Sequence, residues 1–251
     1  MGSLHKGHAS LLKQAKTLPG KVMASIFVNP TQFAQDEDLG EYPRDLKRDL
    51  DILDELAINS VFIPTAKEIY PLGFQTYCYN SEIAKSLCGS SRPEHFTGVC
   101  TIVIKLLNMI QPDNIIFGKK DFQQWKIIEH MVKDLNVNTN VIGCEMLRDV
   151  DGLALSSRNQ NLSKQERIQA LALFHGLRKT RQAFHAGLRD ADQLLQIGKE
   201  HIESHPLVTL DYLDIRSERS LDPAPDLSKE KSIVLGAIKI GKVRLIDNIV
   251  L

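Results

Sequence analysis

Apolar runs of strand length alternate with helical stripes through the first 146 residues. Leu11, Leu12 and Ala15 mark a first helix, and Lys21 to Val28 (KVMASIFV) then runs almost continuously apolar. Such a run predicts a strand buried on both faces of a parallel sheet. Leu46, Leu50, Leu53 and Leu56 form the stripe of a second helix, followed by a short strand at 60–64 (SVFIP). An extended segment at 75–80 leads to a short helix near 83–87 and a strongly apolar helix over 99–110. The strand NIIF (114–117) precedes a helix whose buried face is Phe122, Trp125, Ile128, Met131, Val132 and Leu135, and another strand occupies 141–146. Strand and helix in regular alternation predict an α/β fold: a doubly wound, Rossmann-like parallel sheet with crossover helices.

The pattern changes after residue 146. Ser163 with Glu166 three residues on is a capping-box signature for a long helix through Ala170, Leu173, Leu177 and Phe184 to Gly187. A helix near 190–204, a strand at 208–216 and two strands over 232–251, joined near Ile240-Gly241-Lys242, complete the chain. The predicted organisation is a nucleotide-binding domain over 1–146 and a smaller C-terminal α+β domain over 147–251.

Composition narrows the chemistry. Basic and acidic side chains cancel, 31 against 31, so no overall field draws nucleic acid or an anionic membrane, and binding must come from a local site. Cys78, Cys88, Cys100 and Cys144 lack C-x-x-C spacing and mostly sit in apolar or strand-like runs, which predicts free thiols in a reducing cytosol. No run approaches the ~18 apolar residues of a membrane span. The expectation is a cytoplasmic protein with neither nucleic-acid nor membrane partners.

Candidate chemistry clusters where the predicted strands end and helices begin. Met1-Gly2-Ser3-Leu4-His5-Lys6-Gly7-His8 runs directly into the first helix. Free backbone N–H groups, the positive end of the helix dipole and two imidazoles three residues apart would together suit phosphates. The same histidine pair is also half of a metal site. Asn29 and Gln32 follow the first apolar run, where ligands of open α/β sheets collect. Gly89 to Gly98 carries Arg92, whose fork suits a carboxylate or phosphate, together with His95. Gly118-Lys119-Lys120-Asp121 repeats the strand, glycine, lysine, helix order of phosphate sites but lacks P-loop spacing. Ser156, Ser157 and Arg158 fall at the predicted seam between domains.

The segments MGSLHKGH, FVNPTQF, DEDLGEYPRD, LCGSSRPEHFTGVCTIV, IFGKKDFQQ and DGLALSSRN, in this order and spacing, resemble the pantoate–β-alanine ligases of the nucleotidylyl transferase superfamily. The resemblance spans nearly the whole chain. It implies ATP-dependent condensation of pantoate with β-alanine through a pantoyl adenylate, releasing pyrophosphate and AMP, on the route to coenzyme A. It also implies Mg²⁺ bound mainly through the ATP phosphates, no metal site of the protein's own, and a homodimer.

By the same resemblance, the ATP site comprises Met1 to His8, Gly118 to Asp121, Leu147 and Leu155 to Arg158. His5, His8 and Lys120 act on the phosphates, with His8 as the proton donor, Asp121 meets the ribose and Leu147 the adenine. Gln32 and Gln124, with Asn29 and Arg92 nearby, hold pantoate and β-alanine, and residues 35–38 match a mobile gate.

Two departures accompany the resemblance. The family's G-E-K-D reads Gly118-Lys119-Lys120-Asp121, a base in place of an acid. Family members also carry a strand and a Pro-Thr pair before the Met-Gly. The expectation is therefore that the first strand of the sheet is missing from this chain, with roughly 25–35 further residues in the native protein. From the residues alone, transfer of a nucleotide to a phosphate, a nucleotide-binding module without turnover and a metal hydrolase remain alternatives.

Overall fold

The computed structural model describes residues 2–33, 39–40, 42–223 and 225–251. Met1 and the expected gate at 35–38 lie outside the described residues. Two units divide the chain, one of residues 1–119 with 123–147 and one of residues 120–122 with 148–251.

In the N-terminal unit, α1 (Lys6–Ala15) leads to β1 (Met23–Ser25), and α2 (Leu46–Glu55) to β2 (Ser60–Phe62). The short α3 (Ala66–Ile69) and α4 (Cys88–Ser91) precede α5 (His95–Ile110). β3 (Asn114–Gly118) then connects through α6 (Phe122–Asp134) to β4 (Asn140–Cys144). The described strands pair in parallel, β1 with β2 from Met23↔Ser60 and β3 with β4 from Asn114↔Asn140, as crossover helices require. Here α1 packs against β3, and α5 packs against the 3-10 turn Pro30–Gln32.

Two local expectations need correction. β1 is shorter than the apolar run at 21–28 and is not buried on both faces, since Met23 is exposed. Among the described strands it pairs only with β2. The leucine stripe of α2 is buried only in part: Leu46 and Leu50 are 46% and 37% exposed and Leu53 is 2% exposed, while Asp49 on the same buried face is 1% exposed. Leu53 joins Leu4 and Ile26 in a small apolar cluster, and the carboxylate beside it has a purpose described below.

The C-terminal unit is built on α7 (Lys164–His185), α8 (Ala191–Glu203) and an antiparallel sheet of β5 (Val208–Ser217), β6 (Ser232–Ile240) and β7 (Val243–Val250), with β6 central. Ser163 accepts from the N–H of Glu166 at 3.2 Å, and Glu166 accepts from the N–H of Ser163 at 2.8 Å, closing the expected capping box. One core, including Leu173, Leu177, Leu194, Ile202, Val234 and Ile238, fills the space between helices and sheet. All four cysteines are free thiols. Burial pushes the Cys100 thiol up to about 12, which keeps it protonated and unreactive. No helix among the described residues is long and apolar enough to cross a membrane.

His175, His201 and His205 approach one another in this unit, with ring centroids 6.1 Å apart for the first pair and 5.0 Å for the second. Burial, then the charge of Lys179, lowers the His201 pKa below 6.5. A histidine depressed in this way binds fewer protons folded than unfolded, so its stability contribution is complete above 6.5 and is lost as pH falls below it. Thermal melts should therefore show a lower midpoint near pH ~5.5 than near pH ~7.5. His201→Gln should narrow that gap; an unchanged gap would remove His201 as its source.

Candidate functional site

The start of α1 disposes of its backbone donors internally. Asp49 receives the N–H of Ser3 on Oδ2 at 2.8 Å and that of Leu4 on Oδ1 at 2.6 Å. His5 is the N-cap, and its Nδ1 accepts from the N–H of Gly7 at 3.1 Å, while Nδ1 of His8 accepts from the N–H of His5 at 3.3 Å. This is a capping box made by two histidines. The N–H groups of Ser3, Leu4, His5 and Gly7 are thereby bound within the protein, by a buried carboxylate and two imidazoles. The Leu4 side chain is buried in the apolar cluster with Ile26 and Leu53.

The same bonds decide the chemistry of the rings. A neutral imidazole that accepts at Nδ1 carries its proton on Nε2. His5 and His8, with centroids 4.0 Å apart, are both assigned that tautomer, so each carries an Nε2–H donor at the positive end of α1. Two such donors side by side suit the oxygens of a phosphate chain.

The Pro30–Gln32 turn separates two amides that look alike in sequence. Asn29 is 3% exposed, and its Nδ2 donates to Gln32 Oε1 at 3.2 Å and to the Gly98 carbonyl at 3.1 Å. Its Oδ1 accepts from Thr31 Oγ1 at 3.1 Å and from the Tyr70 hydroxyl at 2.7 Å. All four hydrogen-bonding positions of Asn29 are filled, one of them by Gln32 Oε1. By accepting at Oε1, Gln32 is left with its Nε2 donors for recognition.

Arg92 reaches the same turn: its guanidinium donates to the Gln32 carbonyl at 3.3 Å, and His95 Nδ1 lies 2.8 Å from the same oxygen. A Cβ on Gly98 would stand 2.3 Å from the Thr31 carbonyl oxygen and 2.6 Å from the Gln32 nitrogen. Only glycine lets α5 come this close to the turn.

Beside Gly118, the ammonium of Lys119 pairs with Glu145. The base that replaces the family's acid is thereby matched within its own sheet edge, where Gly118 faces Cys144. In α6, buried Gln123 accepts from the N–H of Cys88 at 3.0 Å and donates to the carbonyls of Ile83 and Ser86 at 2.8 and 2.7 Å. It fixes the 83–88 segment, while its neighbour Gln124 is half-buried.

The C-terminal unit gathers its candidates around β7. Lys120 Nζ lies 3.2 Å from Asp121 Oδ1, and the Lys120 carbonyl accepts from Asn248 Nδ2 at 3.0 Å. Adjacent Asp247 is buried and bridged by Arg148 at 2.6 and 2.8 Å. Burial raises the Asp247 pKa, the Arg148 hydrogen bonds oppose that rise most strongly, and the Lys120 charge also opposes it. Ser156 Oγ accepts from the Arg158 N–H at 3.3 Å and caps the 3-10 turn Ser157–Asn161, which packs on β7. Leu155 to Arg158 are half-buried, and Leu147 is exposed.

Several of these residues went unnoticed in the sequence. Asp49 lies four residues before Leu53, on the face that α2 buries. Asp247 shares the inward face of β7 with Val243, Leu245 and Ile249, so a charge at that alternate position was a readable signal. Tyr70 gave no such signal. Among the described residues no group of three or more His, Cys, Asp or Glu is placed to hold a metal ion.

The family model described as pantoate-beta-alanine ligase matches residues 1–250. The pantothenate synthetase of Thermosipho africanus (strain TCF52B) is 42% identical over 251 residues, covering 100% of this chain and 90% of its own length. That of Syntrophotalea carbinolica (strain DSM 2380 / NBRC 103641 / GraBd1) is 46% identical over 248 residues, covering 99% and 87%. Among solved structures, pantothenate synthetase from Thermus thermophilus superposes with a TM-score of 0.95 at 38% identity, covering 99% of this chain and 90% of that one. Pantoate-beta-alanine ligase from Francisella tularensis, complexed with beta-gamma ATP and beta-alanine, gives a TM-score of 0.80 at 37% identity, covering 99% and 86%.

Proposed function

Because the chain belongs to the pantoate-beta-alanine ligase family, we propose that it joins pantoate to β-alanine in two steps through a pantoyl adenylate. It is an enzyme, and its product is pantothenate. In the first step a pantoate carboxylate oxygen attacks the α-phosphorus of ATP and the bond to pyrophosphate breaks. In the second the β-alanine amine attacks the activated acyl carbon, AMP leaves with the bonding pair, and the amine gives up a proton as the amide forms.

The observation that carries this reading is the histidine pair at the start of α1, whose Nδ1 atoms cap the helix and so leave the ring protons on Nε2. An anionic carboxylate must approach a phosphorus already surrounded by negative oxygens, so the reaction needs donors and cations more than an enzyme nucleophile. His5 and His8 donate to the phosphate oxygens, with His8 protonating the departing pyrophosphate. Lys120 and Arg158 neutralise charge on the triphosphate, and Ser156 and Ser157 add hydroxyl donors. Gly118 and Lys119 line the nucleotide, Asp121 takes the ribose hydroxyls and Leu147 the adenine. Mg²⁺ would enter with ATP, held mainly through the phosphates, and would supply further charge neutralisation there. Gln32, held in one amide orientation by Asn29, and Gln124 bind the hydroxyl and carboxyl groups of pantoate. A reducing cytosol and a homodimer complete the proposal.

Pyrophosphate release separates this reading from its rivals. ATP with pantoate alone should give a single-turnover burst of pyrophosphate, and added β-alanine should convert the burst to steady turnover with AMP. Release of ADP and inorganic phosphate would refute the adenylate. Gly98→Ala, by pushing the Gln32 turn aside, should raise KM for pantoate about 10-fold and leave KM for ATP unchanged. Equal effects on both substrates would remove Gln32 from the pantoate site.

A further inference from the structure

We propose that Asp49 is the positioning residue of the histidine pair, setting through the turn at Ser3 and Leu4 the direction in which His5 and His8 present Nε2–H to the nucleotide. The inference rests on the reading above, in which those imidazoles meet the phosphates of ATP.

Three observations converge on it. Asp49 is 1% exposed, yet its carboxylate is spent on the turn in front of α1, one oxygen to the N–H of Ser3 and the other to that of Leu4. Two successive peptide planes are thus aimed at one carboxylate, which fixes their rotation as a single bond would not. Ser3 sits at φ +55°, a left-handed conformation that a non-glycine residue keeps only when its surroundings hold it there. Leu4, on the next residue, is anchored in the cluster with Ile26 and Leu53. The turn is clamped on its polar side and pinned on its apolar side, and the residue that emerges is the N-cap His5.

The electrostatics argue for a role in placement. A buried negative charge close to a site for a triphosphate opposes binding through space, so Asp49 does not help by its charge. It helps by geometry: a carboxylate offers two acceptor oxygens, one for each N–H, whereas the isosteric amide of Asn offers one oxygen and one NH₂. Asp49→Asn would turn an N–H donor against an NH₂ and release one of the two peptide planes.

The test uses the full chain carrying Asp49→Asn, with Asp49→Glu as a second variant that keeps the charge but displaces it by one methylene. Leu50→Ala, which trims the same helix outside the Leu4 cluster and without touching the carboxylate, is the control. Readouts are the pyrophosphate assay, the melting midpoint and the imidazole ¹⁵N spectrum, which distinguishes a bare ring nitrogen from a protonated one. Both Asp49 variants should lose about 10- to 100-fold in kcat/KM for ATP with KM for pantoate unchanged. His5 and His8 should pass from a single Nε2–H tautomer to a mixture.

A kcat/KM for ATP within about 2-fold of the parent in both variants, or an equal loss in Leu50→Ala, would overturn the proposal. Should Asp49→Asn fail to fold, the Glu variant decides. Should the parent release no pyrophosphate, the functional reading fails by itself and the nitrogen spectrum still judges Asp49: a tautomer pattern unchanged by both variants would overturn its positioning role.

Discussion

Replacing Arg148 by Met is expected to destabilise the C-terminal unit by about 3–5 kcal/mol, read as a shift of the urea unfolding midpoint. Asp247 is 5% exposed and holds Arg148 through two hydrogen bonds, with the Asn248 N–H a third donor at 2.7 Å. Arg148 also donates to the Gly152 carbonyl at 3.1 Å and lies 4.3 Å from the centre of the Phe174 ring. Methionine preserves much of the stem but leaves the carboxylate buried without its cation.

That group must then stay charged at high cost or take up a proton, so the variant's Asp247 pKa moves further up. A carboxyl whose folded pKa lies above its unfolded value binds more protons when folded, and stability then rises as pH falls. The deficit of Arg148→Met should accordingly be largest near neutrality and shrink toward pH ~5. Adding Asp247→Leu should recover most of the loss, since apolar replacement of both partners of a buried pair is often neutral. A single variant costing under ~1 kcal/mol would mean that the pair is effectively solvated.

The expectations met most closely were those fixed by local rules. The Ser163–Glu166 box joins residues three positions apart, and the strands over 232–251 pair outward from the tight turn between Ile240 and Val243. α2 shows where this fails. Its leucines follow a helical period, but which face is buried was decided by Ser3 and Leu4, more than forty positions earlier, whose N–H groups needed Asp49. Periodicity reports that a helix is amphipathic; it cannot report that a carboxylate belongs to the inner face.

Site chemistry divides the same way. The i, i+3 spacing of His5 and His8 marked them as a pair, but not that their Nδ1 atoms would serve the backbone. Asn29 and Gln32 were alike as candidate amides at a strand end, and only the bonds of Asn29 to Gln32, Gly98, Thr31 and Tyr70, which fill its every position, tell them apart. Lys119, an apparent departure beside the nucleotide, acquires a partner in Glu145 at the facing end of β4. Each of these outcomes is a hydrogen-bond accounting problem whose partners come from distant parts of the chain.

The histidines can be tested apart from the helix they cap. In the chain carrying both His5→Asn and His8→Gln, the N-cap becomes one of the most favoured cap residues and the third helical position a glutamine able to complete the box. The backbone donors that the imidazoles now satisfy keep acceptors, so the melting behaviour should stay within ~0.5 kcal/mol of the parent. Both Nε2–H donors are gone.

If the rings act on the phosphates, pyrophosphate release should fall at least about 100-fold, the scale of one lost transition-state donor or one lost general acid. Reverting only the cap residue or only the third position should restore part of the rate, and the two recoveries should not add, because adjacent donors on one phosphate chain act as a unit. A doubly substituted chain that melts like the parent and still releases pyrophosphate at the parental rate would reduce the imidazoles to caps. The anion would then have to be held from Lys120 and Arg158 instead.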